Sequence, residues 1–233
     1  MRRARQRNII LFLMLVFIGS GIAYGQEPDV YAVIDSVKMK LETVEDYQAD
    51  ITVNVDVDFI NMPDKSATIL FKKPDKVKFI SDEFLMLPKR GLGKRMTDIL
   101  EEPFTAIYIG KDTMDNENQH IIRIVPMSKK PEVILATWWI DANTYQLVKN
   151  ESNLKKGGSV TVSLSYRDKL AILPEEMVFT FDVERINIPL KFIGKAQGLL
   201  KNSSKTDGSS QGKVYILFSN YRINTGLEDE IFK

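Results

Sequence analysis

The chain belongs to the α+β class, with β dominant: an antiparallel sheet preceded by one helix. Three observations predict this. Residues 50–59 alternate apolar and polar without a break, putting Ile51, Val53, Val55, Val57 and Phe59 on one face and the polar residues on the other. Strict alternation marks a strand with one side in water, the habit of antiparallel sheets. Beyond it, strand-sized runs recur at short intervals, separated by turn chemistry rather than by helices. Only one stretch of the exported part carries a clear helical period. Val30, Val33, Ile34, Val37 and Leu41 recur at steps of three and four, with Asp35, Lys38, Lys40 and Glu42 opposite and Pro28 near the start.

The elements follow in order. The first 25 residues carry Arg2, Arg3, Arg5 and Arg7, then an unbroken apolar run from Ile9 to Ile18, then Ala23-Tyr24-Gly25 before Gln26. This is the pattern of a cleavable secretory signal peptide, and the run is short of the roughly 20 residues a membrane span needs. The expectation is a protein starting at Gln26, exported to the periplasm, with 26–233 forming one domain that acts as a monomer. After the helix and the first strand, a turn at 61–64 leads to a strand at 67–73. The turn Lys73-Pro74-Asp75 leads to 76–81. Further strands are expected at 104–109, 120–126, 133–141, 147–154, 159–166, 177–185 and 213–224. Trp138 and Trp139 adjoin within a strand, so their rings face opposite sides. Regular short strands without crossover helices make a meander, in a sandwich or a barrel. Three segments interrupt them: 84–104, with a helical turn expected at 94–100; a polar loop at 112–119; and a Ser/Gly/Lys-rich stretch at 196–212.

Composition excludes several functions. There is no cysteine. The exported chain therefore has no disulfides, no thiol chemistry and no site for an N-terminal lipid on cysteine, and stability must come from the core. The net charge of +1 turns slightly negative once the four leader arginines are removed, which leaves no electrostatic footprint for nucleic acid. His120 is the single histidine, so a zinc site is excluded and no partnered general base can be named. Asp112, Asp115 and Glu117 lack the spacing and central glycine of a calcium loop. Residues 208–212 spell G-S-S-Q-G, the letters of a nucleophile elbow. That motif needs a preceding strand and a following helix, whereas here a loop precedes and a strand follows. The reading is therefore a non-enzyme without cofactor, metal or catalytic residues. What remains is apolar surface. One or two helices cannot cover the apolar face of about ten strands, so the sheet closes on itself, packs as a sandwich, or leaves an apolar cavity for a ligand.

Several segments, in their order and spacing, resemble the periplasmic outer-membrane lipoprotein carriers of the LolA type and their LolB and RseB relatives. The first is the helix followed by Val44-Glu45-Asp46-Tyr47-Gln48-Ala49-Asp50-Ile51. The second is the hairpin Leu70-Phe71-Lys72-Lys73-Pro74-Asp75-Lys76-Val77-Lys78-Phe79. Trp139-Ile140-Asp141-Ala142-Asn143-Thr144, Leu173-Pro174-Glu175-Glu176-Met177-Val178-Phe179 and Tyr221-Arg222-Ile223-Asn224 complete the set. The resemblance implies a strongly curved antiparallel sheet, an incomplete β-barrel, with the N-terminal helix and a short lid helix over its concave face. It also implies a hydrophobic cavity that shields the acyl chains of lipoproteins or another amphiphilic lipid, handed from an inner-membrane donor complex to an outer-membrane acceptor. The chain departs from the pattern in carrying Lys73 where the carriers often have Arg, and in the segment 84–104. The absent cysteine argues against a LolB-type receptor, and the length against a two-domain RseB-type sensor. The expected cavity residues are Ile51, Val53, Val55, Val57 and Phe59 from the first strand, with Ile69, Phe71, Val77 and Phe79 from the hairpin. Phe84, Leu85, Met86 and Leu87 form an apolar run beside Lys89 and Arg90, which reads as a lid or docking segment. A periplasmic structural or regulatory protein-binding module without lipid cargo is the alternative.

Overall fold

The computed structural model describes residues 27–57, 63–81, 96–114, 117–129, 131–156, 158–182 and 211–233. The leader, Phe59, the apolar run 84–87 with Lys89 and Arg90, and most of 196–212 lie outside these residues. The described chain is one helix and a ten-stranded antiparallel sheet. The helix α1 is Val30–Glu42; the strands are β1 Asp46–Asp56, β2 Lys65–Lys72, β3 Lys76–Ile80, β4 Phe104–Met114, β5 Glu117–Pro126, β6 Val133–Asp141, β7 Leu147–Leu154, β8 Ser159–Ser165, β9 Glu176–Asp182 and β10 Gln211–Ile223. Short 3₁₀ turns occupy Met96–Leu100 and Asp229–Phe232. The strand order is β3-β2-β1-β10-β9-β8-β7-β6-β5-β4, so β3 and β4 are edges and the sheet does not close. This is the curved, mostly β half-barrel that the sequence predicts.

One face of the sheet carries continuous cross-strand rows. Val55, Val214, Phe179, Val162, Asn150, Trp138, Ile122 and Tyr108 follow one another across eight strands. Helix α1 lies against this face: Val33, Ile34 and Val37 are buried in the same apolar cluster as Ile51, Val53, Phe179 and Ile216. The helix starts where Asp29 accepts a hydrogen bond from the Tyr31 N–H at 3.0 Å, an N-cap that satisfies one of the free donors of the first turn. Near that end Tyr31 packs on Phe104 and its hydroxyl oxygen accepts from the Ala106 N–H, a donor of edge strand β4. At the other end the Thr43 carbonyl accepts from Asn224 and the Glu42 carbonyl accepts from Lys73. The helix thus spans the open side of the sheet from β4 to the β2–β3 hairpin.

Two features differ from the sequence expectation. The polar stretch 112–119 is not a loop but the end of a hairpin, with Asp112 opposite Gln119 and Met114 opposite Glu117. Backbone pairing alone can extend a ladder into solvent, so polarity does not mark where a strand stops. The second difference is a C-terminal strap. Asp46, buried, accepts from the N–H groups of Thr225 and Gly226 at 2.9 Å and of Leu227 at 3.3 Å. Lys72 and Lys76 both reach Asp229 at 2.7 Å, and the Lys78 ammonium donates to the Ile231 carbonyl. The strap crosses the face of β2 that carries Leu70, which is why Ile69, Leu70 and Phe71 are buried in succession where alternation alone would expose the middle one.

Candidate functional site

A cavity of about 310 Å³ opens between the C-terminal half of α1 and one end of the half-barrel. Leu41 of the helix and Val44 just beyond its end form one wall, and Phe71, Pro74 and Val77 of the hairpin the wall opposite. Leu147, Leu164 and Met177, from three adjacent strands, make the floor, and Leu100 of the 3₁₀ turn closes one side. An aromatic cluster lines the rest. Tyr47 stacks on Phe71 with ring centroids 5.3 Å apart and meets the edge of Tyr221 at 5.8 Å; Phe218 stacks on Tyr221 at 5.9 Å. Aromatic contacts in these geometries add to plain area burial.

Phe218 and Tyr221 are three apart, so regular alternation would send them to opposite faces. A bulge brings them together. Between Gln48 and Asp50 strand β1 advances two residues while β10 advances three, from Arg222 to Ser219. The extra residue is taken up at Asn220, whose φ of 53° is in the left-handed region that asparagine tolerates better than most residues. Its side chain donates to Asp50 at 2.9 Å, which fixes the bulge.

Two hydroxyls around the cavity are tied to backbone. Tyr166 donates to the Leu147 carbonyl at 3.0 Å and Tyr221 to the Pro174 carbonyl at 2.8 Å. Burial pushes the Tyr47 phenol up to about 12, and pushes Tyr166 and Tyr221 higher still, because a phenolate there would lose its water. For Tyr221 the neighbouring Tyr47 and Tyr166 act in the same direction. Charged side chains also line the cavity: Lys38, Glu42, Lys73, Asp75, Asp98 and Glu101, with Lys38 pairing with Glu42 at 3.7 Å and Lys73 with Glu45 at 2.9 Å. The arrangement presents apolar and aromatic walls with charged side chains of both signs among the lining residues. It can hold a hydrophobic chain.

Of the residues expected to line a cavity, Phe71 and Val77 do so. Ile51, Val53, Val55, Val57 and Ile69 are buried in the cluster beneath α1, with Phe79 packed partly buried against it. The sequence reading did not place Tyr47, Tyr166, Phe218 or Tyr221 at a cavity, although Tyr47 and Tyr221 fall in segments that carry the resemblance. The Phe–x–x–Tyr spacing in a strand, with Asn before the Tyr, is the one signal that marks the bulge.

Several of the other polar groups have structural partners. The His120 Nδ1 is 3.2 Å from the Tyr108 hydroxyl; burial lowers the imidazole's proton affinity, Lys111 adds to that, and Asp141 opposes it. Asp141 accepts from the N–H groups of Asn143 and Thr144 and from the Thr144 hydroxyl, holding the β6–β7 turn. Trp139 lies outward under the Lys149 ammonium at 4.0 Å, while Trp138 is fully buried with no partner for its indole N–H. Gly212, the last letter of the G-S-S-Q-G run, is in β10 opposite Phe181. Among the described residues no three His, Asp or Glu side chains are grouped to hold a metal, and no helix is long and apolar enough to cross a membrane.

No family model matches the sequence, and no curated protein matches it. Solved structures do. The chain superimposes on a LolA superfamily protein from Nitrosomonas europaea with a TM-score of 0.57 at 9% identity, covering 88% of this chain and 98% of that one. A putative outer membrane lipoprotein-sorting protein domain from Vibrio parahaemolyticus matches with a TM-score of 0.53 at 12% identity, over 87% of this chain and 95% of that one. A DUF1329 family protein from Desulfovibrio piger matches with a TM-score of 0.54 at 12% identity, over 88% and 97%. At these identities the likeness is one of fold, and the fold is the LolA-type half-barrel.

Proposed function

We propose that this chain is a periplasmic carrier or binding protein that shields the acyl chains of a lipoprotein or another amphiphile, without enzymatic chemistry. The observation that carries the reading is the cavity beside the end of α1, lined by Leu41, Val44, Phe71, Val77, Leu147, Leu164, Met177 and an aromatic cluster. The fold shared with a lipoprotein-sorting domain supports it, as does the arginine-rich, apolar leader in the sequence. Binding would work by reversible burial. Each methylene taken from water contributes about 0.8 kcal/mol, so a chain is held without a covalent bond and released when a competing apolar surface is offered. In the periplasm the donor would be an inner-membrane complex and the acceptor an outer-membrane one. The test is extraction of lipid from protein purified from the periplasm, followed by uptake of an apolar fluorescent probe by the delipidated protein. Protein that yields no lipid and takes up no probe overturns the reading in favour of a protein-binding module.

A further inference from the structure

We infer that the ligand of this cavity is a single-chain amphiphile with a zwitterionic head, holding one chain of about twelve carbons; this rests on the lipid-binding reading above. Three observations lead there. The first is volume. An apolar protein cavity of about 150 Å³ accommodates the six carbons of benzene, so the 310 Å³ here accommodates on the order of twelve. A second or third chain of that length would need the same volume again.

The second is that the concave face is already occupied. Val33, Ile34 and Val37 of α1 pack into one cluster with the β1, β9 and β10 side chains that an empty half-barrel would offer to extra chains. The third is that the walls are pinned. Lys73 bonds the Glu42 carbonyl and the Glu45 carboxylate, Asn224 bonds the Thr43 carbonyl at 2.8 Å and accepts from the Glu45 N–H at 2.7 Å, and Lys40 bonds the Thr144 carbonyl at 3.1 Å. Swinging the end of α1 outward to admit more chains breaks these together. Tyr166 and Tyr221 fix the opposite wall through their bonds to Leu147 and Pro174. Among the lining side chains the ammoniums of Lys38 and Lys73 stand with the carboxylates of Glu42, Asp75, Asp98 and Glu101, so the cavity offers both signs of charge to a head carrying both.

The test uses the exported protein, delipidated, and lysophosphocholines with eight-, twelve- and sixteen-carbon chains, each below its micelle concentration. Native mass spectrometry gives stoichiometry and calorimetry gives affinity. The result expected is one equivalent bound, with affinity rising about 200-fold from eight to twelve carbons, at roughly fourfold per buried methylene, and then levelling at sixteen. Leu147→Trp, which fills the floor, moves the plateau to a shorter chain; Leu164→Phe does the same from the neighbouring strand should the first variant fail to fold. A two-chain phosphocholine or a triacylated lipopeptide binding as tightly as the twelve-carbon lysolipid overturns the single-chain inference and leaves the lipid-binding reading standing. A plateau unmoved in folded variants places the chain elsewhere and overturns the site. No binding of any lipid in the set overturns the lipid-binding reading itself.

Discussion

Raising the pH is a direct probe of whether the cavity is dry. Tyr47, Tyr166 and Tyr221 line it, and burial raises all three phenols, Tyr47 to about 12. In the unfolded chain a tyrosine ionises near about 10. The folded-state value is the higher one, so the stability each contributes is fully present below about pH 10 and is lost as the pH rises toward the folded value. The slope is about 1.4 kcal/mol per pH unit per group. At pH 11 Tyr47 alone has withdrawn about 1.4 kcal/mol, and the three together about 4 kcal/mol, a large part of the roughly 5 to 15 kcal/mol that holds a domain folded. The assay is tyrosinate absorbance followed alongside circular dichroism through an alkaline titration. About three tyrosines should stay silent past pH 10.5 and ionise in one step as the fold opens. Tyr47→Phe, Tyr166→Phe and Tyr221→Phe each remove one tyrosine from that step. A smooth titration of every tyrosine around pH 10, with the circular dichroism unchanged, would refute the reasoning and show that water reaches these rings.

Ile34→Ala, at a side chain 1% exposed between α1 and the sheet, should cost about 2 to 5 kcal/mol in denaturant midpoints; a cost under about 1 kcal/mol would mean that the helix does not fill the concave face. Asp46→Ala removes the acceptor for three backbone N–H groups of the strap and should cost about 2 to 4 kcal/mol, with hydrogen exchange accelerated first at 225–227. Asp229 is held down to about 2 by its hydrogen bonds to Lys72 and Lys76, so its contribution is present above the ordinary carboxylate range and disappears as pH falls toward 2; a carbon-detected titration of Asp229 with an ordinary midpoint would remove the ion pair. Gly212→Ala should destabilise by about 1 to 3 kcal/mol, because a Cβ there would stand 2.6 Å from the Phe181 ring and 3.0 Å from Val57; a neutral result would show that the Phe181 ring yields.

The elements that alternate or repeat were legible, and the ones that depend on a partner's register were not. Val30, Val33, Ile34, Val37 and Leu41 mark α1 because one helix face packs on the sheet, fully buried at Val33, Ile34 and Val37, and the alternation from Asp50 marks β1 because one sheet face is buried. The Lys73-Pro74-Asp75 turn is likewise readable, since proline fixes one backbone angle there and interrupts the pairing. The aromatic half of the cavity escapes such reading. Tyr47 precedes the clean alternation, and Phe218 and Tyr221 share a face only through the bulge at Asn220, which exists because β1 and β10 pair as they do. Burial of polar side chains escapes it too. Gln146 is buried because its amide donates to the carbonyls of Asp168 and Ala171, a contact made across the distance between two turns.

The same reasoning explains why the apolar face of β1 is buried beneath α1 rather than open along its length. A half-barrel offers one apolar face, and whatever covers it first removes it from the ligand's reach. Here α1 covers the middle of that face with Val33, Ile34 and Val37, and its own amphipathic period says that it must, because three apolar side chains left in water would forfeit their burial. The space left over is set by where the helix ends. Thr43 closes α1, its hydroxyl donating to the Lys40 carbonyl at 2.7 Å, and the chain passes through Val44 to Tyr47, which turns its ring onto Phe71. The cavity begins where the last helical turn stops filling the concavity. Its depth is bounded by Leu147, Leu164 and Met177. Among the described residues, the length of α1 relative to the width of the sheet therefore sets how much of the concavity is left open.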